Sequence, residues 1–268
     1  MEVEVVAVAE RITDEHVAAV LRTYVRSCGP MLARLRVDDG GLEDPEVPAD
    51  EGALDRGRFE RIKERLEQIR YPGSESWRRL SVPERTDWWV NRVGRLTALA
   101  ASVTGLAGAL GDRLPLQDIL GSSGQGLLLC AIASEHGVDD RGTRVRLLAS
   151  VLFERDIDPV VAAGRGESEA ADAAVVAELT HEQPPPEPLR DKRFGVKAAA
   201  RWMWRQGRLL MSISGELEKR PHGRFYHRAL GMLPVVGMAG DYFGERSGLK
   251  RAARAGEKWL GANATSRL

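Results

Sequence analysis

Apolar residues recur at helical spacing along most of the chain. Such spacing predicts helices over residues 8–26, 58–70, 82–110, 116–134, 144–153, 169–179, 196–217 and 249–260. The third of these begins at the capping-box sequence Ser81-Val82-Pro83-Glu84. We expect the first helix to stop where Cys28-Gly29-Pro30 interrupts the pattern. Only residues 2–5 alternate in the way that a strand would, so we predict an all-α helical bundle with long amphipathic helices.

Two segments without any charge, residues 96–110 and 119–134, are rich in small residues. Small residues allow two helix backbones to approach closely, so we predict an antiparallel Gly/Ala-rich hairpin over residues 82–135. A third charge-free segment, residues 229–240, predicts a second hairpin over residues 229–262. The first two segments are shorter than the ~20 apolar residues that span a bilayer. A hairpin buried in the core and a hairpin that dips into a membrane both remain open.

Charge is distributed unevenly along a chain that is neutral as a whole, with 39 basic and 39 acidic residues. The net charge is −8 over residues 1–55, −2 over 56–183 and +10 over 184–268. We therefore predict an acidic N-terminal segment (1–80), a central segment (81–183) and a basic C-terminal segment (184–268). The last two segments are joined by the Pro-rich linker at 184–188 and are expected to pack as one domain over residues 81–268. The overall neutrality gives no reason to expect a nucleic-acid binder.

The best binding candidate is a row of cations beside two tryptophans on the helix predicted over residues 196–217. This candidate anion-binding set comprises Arg193, Lys197, Arg201, Trp202, Trp204, Arg205 and Arg208. A helix of this kind can lie on an anionic membrane. It can equally bind nucleic-acid phosphate or pack against the acidic N-terminal segments of the same chain.

Other chemistry is weakly indicated. Asp118 and Asp241 are lone acids in or beside charge-free segments, and each is a helix cap, an arginine partner or a functional acid. Cys130 and His136 are six residues apart and do not share a helix face. An enzyme would need Asp118, His136 or Asp241 to converge in a pocket. We expect no cofactor, no metal and no small-molecule substrate.

Two further features bear on chemistry and location. The string Gly121-Ser122-Ser123-Gly124-Gln125-Gly126 lacks the lysine of a phosphate loop, and a close helix crossing explains it better. Cys28 and Cys130 stand in different sequence contexts and form no CxxC motif, which excludes a disulfide framework and favours a reducing cytosol. The acidic N-terminus is unlike a signal peptide. These features predict a cytoplasmic location, with peripheral attachment at the inner face of the membrane as an option.

Two segments resemble the EcsC family of bacterial proteins. The first runs through Thr104-Gly105-Leu106-Ala107-Gly108 and Leu114-Pro115-Leu116 to Ser134-Glu135-His136-Gly137-Val138-Asp139. The second is Leu233-Pro234-Val235-Val236-Gly237 with the following helix. Together they cover about a third of the chain. The resemblance implies a membrane-associated accessory factor and brings no catalytic residues with it.

These features together predict a non-enzymatic, membrane-peripheral accessory or regulatory protein. Its partner would be an anionic membrane surface or a membrane protein. The alternatives are a soluble helical module that binds other proteins and an enzyme whose site includes Asp118, His136 or Asp241.

Overall fold

The computed structural model describes residues 12–37, 72, 74–105, 116–164, 166, 169–180, 195–218 and 237–264. The predicted strand at 2–5, the predicted helix at 58–70 and the linker at 184–188 lie outside these residues. The all-α prediction is confirmed, because the described residues form helices and no strand. The helices are α1 (Asp14–Val37), α2 (Glu75–Arg78), α3 (Val82–Gly105), α4 (Leu116–Glu135), α5 (Arg141–Phe153), α6 (Pro159–Ala163), α7 (Glu169–Thr180), α8 (Val196–Glu218) and α9 (Gly237–Ala264).

Helix α4 is the axis of the bundle. It packs against α1, α8, α3, α9 and α5, and each of these five helices also packs against the next, so that they form a ring around α4. The short helices lie outside the ring, with α6 against α1 and α5 and α7 against α1 and α8. Helix α1, from the segment 1–80, is therefore built into the same bundle as the helices of residues 81–268.

The charge-free sequence of α4 forms the core. Every residue from Leu127 to Ala133 is 0 % exposed, because helices surround α4 on all sides. For the described residues of α4, this burial favours a hairpin that lies in the protein core over a hairpin that dips into a membrane. Within the part of the chain that the structure describes, no helix combines the length and the apolar composition needed to cross a bilayer.

Small residues bring the helices of the ring close to α4. A Cβ atom at Gly124 would lie 2.8 Å from the Thr97 hydroxyl of α3, and one at Gly126 would lie 2.6 Å from the Tyr24 hydroxyl of α1. A Cβ atom at Gly207 of α8 would overlap the carbonyl of Ile119. The Gly-rich string of α4 is thus a close helix crossing, as the sequence predicted.

The structure corrects two predictions, the end of the first helix and the C-terminal hairpin. Helix α1 continues through Pro30 to Val37, because Met31, Leu32 and Leu35 extend its buried stripe beyond the proline. A proline inside a helix costs about 3 kcal/mol, and the burial of these three side chains offsets that cost. The predicted C-terminal hairpin is also wrong within residues 237–262, which form one continuous helix, α9. Residues 229–236 lie outside the described part.

The start of α3 is as predicted. The backbone N–H and the hydroxyl of Ser81 both donate to the Glu84 carboxylate, at 2.8 and 2.7 Å. Glu135, at the last turn of α4, accepts from Arg85 and from the Trp89 indole near the first turns of α3, while Thr97 faces Gly124 farther along. This register shows that α3 and α4 run antiparallel.

Candidate functional site

Helix α8 presents a basic face to solvent. Lys197, Arg201 and Arg208 are exposed, while the opposite face is buried in the bundle through Ala199, Ala200, Met203, Leu210 and Ile213. The i, i+4 spacing of Lys197 and Arg201 places both on the outer side of the helix. Arg193, the first residue of the candidate set, lies outside the described residues.

The two tryptophans of the candidate set are not equivalent. Trp202 is 2 % exposed, and its ring lies 6.4 Å from that of Tyr24 on α1, at an angle of 46°. The prediction that Trp202 contributes to a surface is therefore wrong: it is a core residue, because it lies on the face of α8 that packs against α1. Trp204 is half-buried and remains beside the basic face.

Arg205 is the unusual member of the basic face. It is half-buried, and its Nε has no hydrogen-bond partner among the described residues. Burial lowers the pKa of Arg205, and the charge of Arg201, one turn away, lowers it further. A guanidinium that is both desolvated and next to another cation gains from an anion bound at this place.

A second basic face lies on α9, and the sequence analysis missed it. Leu249, Ala252, Ala253, Gly256 and Leu260 are buried, whereas the outer face carries the exposed residues Lys250, Arg251, Arg254, Ala255 and Lys258. The helix had been predicted over residues 249–260, and the i, i+4 spacing of Lys250, Arg254 and Lys258 would have revealed the stripe. Glu257, the one acid between Lys250 and Lys258, is half-buried and accepts a hydrogen bond from Thr86 at 2.8 Å.

The other side of the bundle is acidic at its surface. The exposed acids of α1, α5, α6, α7 and their connections are Asp14, Glu15, Asp139, Asp140, Glu154, Asp156, Asp158, Glu169 and Glu178, and Arg141 is the one exposed base of these described elements. Arg144 and Arg155 on this side are half-buried and pair with exposed acids. Arg155 pairs with Asp14 at 3.1 Å, and Arg144 pairs with Asp139 at 3.1 Å. Within the described residues, the exposed acids and the exposed bases thus lie mainly on different sides of the bundle.

Two of the three candidate catalytic residues lie far apart. Asp118 is half-buried in the first turn of α4, and His136 is exposed just beyond the last turn. Eighteen residues of helical rise separate them by roughly 27 Å. Asp241 lies in the first two turns of α9, and its side chain is outside the described part. Asp118 and His136 therefore cannot share one active site.

The two cysteines meet in the core. Cys28 of α1 and Cys130 of α4 are both buried and reduced, and the Cys28 side chain lies close to those of Cys130 and Tyr24. Their sequence contexts gave no sign of this contact, since it depends on the packing of α1 against α4. Burial raises the pKa of the Cys28 thiol well above its ordinary value, so this sulfur is held as an unreactive thiol.

The segment from Ser134 to Asp139, part of the EcsC-like sequence, is a helix cap. Gly137 has φ of +69° and closes α4 with a bond from the Val138 N–H to the Ala133 carbonyl at 2.9 Å. Arg144 donates to the Val138 carbonyl, the Ser134 hydroxyl and the Asp139 carboxylate. These contacts stabilise the end of α4, and this structural role is sufficient to explain the residues of the segment.

The chain matches no protein-family model, no curated protein and no solved structure. Within the described residues, no three His, Cys, Asp or Glu side chains are grouped so that they could hold a metal ion. The basic face of α8 is the candidate site with the clearest chemistry, because its exposed bases lie beside the half-buried Arg205.

Proposed function

We propose that this protein is a membrane-peripheral accessory protein that binds an anionic surface through the basic face of α8. The observation that carries the proposal is the arrangement of Lys197, Arg201 and Arg208, all exposed, around the half-buried Arg205. Each base near an anionic leaflet contributes about 1 kcal/mol of attraction. The resemblance to the EcsC family supports the same function.

Attachment would be peripheral because α4, the most apolar helix, is enclosed by five others and has no face left for lipid. A second candidate follows from the same burial. If the whole α3–α4 hairpin is core, the basic face can instead bind an acidic patch on a protein partner. The two candidates differ in whether lipid alone is sufficient for binding.

Fractionation and flotation of the native protein test the proposal. We expect the protein to sediment with membranes at low salt, to be released by carbonate or high salt, and to float with vesicles containing anionic lipid. Failure to float with such vesicles would contradict the proposal and, together with capture of an acidic protein, would favour the second candidate. Resistance to carbonate would contradict peripheral attachment.

A further inference from the structure

The basic faces of α8 and α9 flank a common neighbour. In the ring around α4, helix α3 lies between α8 and α9 and packs against both. The outward side of α3 carries Asn91 and Arg95 in its middle turns, with Glu84 and Asp87 exposed only in its first two turns. The three helices α8, α3 and α9 therefore form one side of the bundle, which we call the basic side.

Contacts between the helices show where the bases of this side lie along the axis of the bundle. A Cβ at Gly124 of α4 would meet the side chains of both Thr97 on α3 and Met203 on α8, so Arg95 and Arg201 lie within about one helical turn of each other along the bundle axis. A Cβ at Gly94 would lie 3.4 Å from Leu249, which places Lys250 within about one turn of Arg95. Three adjacent helices thus each present an exposed base at one level of the bundle.

The dimensions of the basic side indicate an extended ligand. Neighbouring helix axes are about 8–10 Å apart, so the bases of α8 and α9 are spread over about 20 Å. Along α8, Lys197 and Arg208 are about 16 Å apart. No single phosphate or carboxylate can contact bases spread over such an area, whereas a continuous anionic surface can contact all of them.

We propose that the basic side as a whole, including the previously unassigned face of α9, is a docking surface for an anionic lipid bilayer. This inference rests on the proposed function and assigns its second binding element, its orientation and its ligand. The acidic surface around α6 lies opposite α3, so an anionic leaflet attracts one side and repels the other. Half-buried Trp204 lies beside the bases of α8, as tryptophans do at membrane interfaces.

Charge-reversal variants of exposed residues test the role of α9. Arg254→Glu changes the α9 face, Arg201→Glu changes the α8 face, and Arg141→Glu makes the same charge change on the acidic side. The measurement is equilibrium partition into vesicles of phosphatidylcholine with 30 % phosphatidylglycerol at about 0.1 M salt, where the Debye length is about 10 Å. We expect Arg201→Glu and Arg254→Glu each to lower the partition coefficient at least about fivefold, and Arg141→Glu to leave it unchanged or to raise it.

Each outcome is decisive. If Arg254→Glu behaves like Arg141→Glu while Arg201→Glu weakens binding, the inference about α9 is wrong and the proposed function stands. If the wild-type protein ignores the vesicles, both are wrong. If a DNA or RNA duplex of equal charge displaces the protein from vesicles at the same salt concentration, the ligand is nucleic acid and the bilayer assignment is overturned. Arg254→Gln, which removes one charge without adding another, replaces Arg254→Glu if circular dichroism shows that the latter is not folded.

Discussion

Arg22 of α1 and Asp172 of α7 form a buried ion pair that fastens α7 to the bundle. Arg22 Nη2 lies 2.7 Å from Asp172 Oδ1, and the two side chains are only 4 % and 3 % exposed. Arg22 Nη1 also donates to the Val161 carbonyl at 2.6 Å, and Arg26 approaches the other oxygen of Asp172 at 3.1 Å. One carboxylate from the middle of the chain thus pairs with two arginines of the acidic N-terminal segment.

Removal of Asp172 is expected to be strongly destabilising. Asp172→Ala leaves Arg22 buried without its counter-charge, and breaking such a pair from one side costs about 3–5 kcal/mol. Urea titration followed by circular dichroism measures this free energy of unfolding. Glu169→Ala is the matched control, because Glu169 is 77 % exposed and only 3.5 Å from Arg26, and we expect a change of less than about 0.5 kcal/mol. Equal effects of the two substitutions would show that burial does not matter at this pair.

Two glycines of α4 should respond to alanine in opposite ways. Gly126→Ala places a methyl group 2.6 Å from the Tyr24 hydroxyl, and such overpacking costs about 1–3 kcal/mol. Nothing lies within 4 Å of a Cβ at Gly121, so Gly121→Ala should stabilise the helix by about 0.5–1 kcal/mol. Thermal unfolding of both variants provides the comparison. A stabilised Gly126→Ala variant would contradict the close approach of α1 to α4.

Stability should fall at alkaline pH because Tyr24 and Cys28 are buried. Burial raises the pKa of Tyr24 well above 10.0 and that of Cys28 well above 9.0, so the folded state holds both groups neutral. The unfolded chain loses these protons first as pH rises. The stabilisation of the folded state by these two neutral groups is complete below about pH 9 and decreases above that pH.

Urea titrations between pH 7 and pH 11 measure this loss. Tyr24→Phe removes the hydroxyl that donates to the Ser123 carbonyl at 2.6 Å, and we expect it to lower stability by about 1 kcal/mol at pH 7. The same variant should lose less stability than the wild type between pH 9 and pH 11. Parallel curves for the two proteins would mean that Tyr24 does not contribute to the alkaline loss.

The fold class followed from the sequence because helical periodicity reports which face of a helix is buried. The predicted helix over residues 196–217 matches α8, Val196–Glu218, almost to its ends. Periodicity does not report which helix covers that face. The sequence therefore could not place Trp202 against Tyr24, bring Cys28 to Cys130, or show that the stripe beyond Pro30 repays the cost of the proline.

The candidate site was predicted only in part for the same reason. The bases of α8 are evident from their spacing, and three of them are exposed as expected. That α9 lies on the same side of the bundle as α8 depends on the position of α3 between them, which is a property of the tertiary structure. The net charges of the segments predicted a difference in charge along the chain, whereas the described helices carry most of their exposed acids and bases on different sides of the bundle.

The central claim, that the basic side faces an anionic bilayer, is tested most directly with a fluorescent label on each side. Cys28 and Cys130 are buried, so a thiol-reactive label should attach selectively to an added surface cysteine. Ala255→Cys puts the label on the exposed face of α9, and Val160→Cys puts it on α6, where Val160 is 56 % exposed on the opposite side. With vesicles that carry anionic lipid and a headgroup quencher, we predict quenching of the label at position 255 and none at position 160. Equal quenching at both positions, or stronger quenching at position 160, would contradict the account.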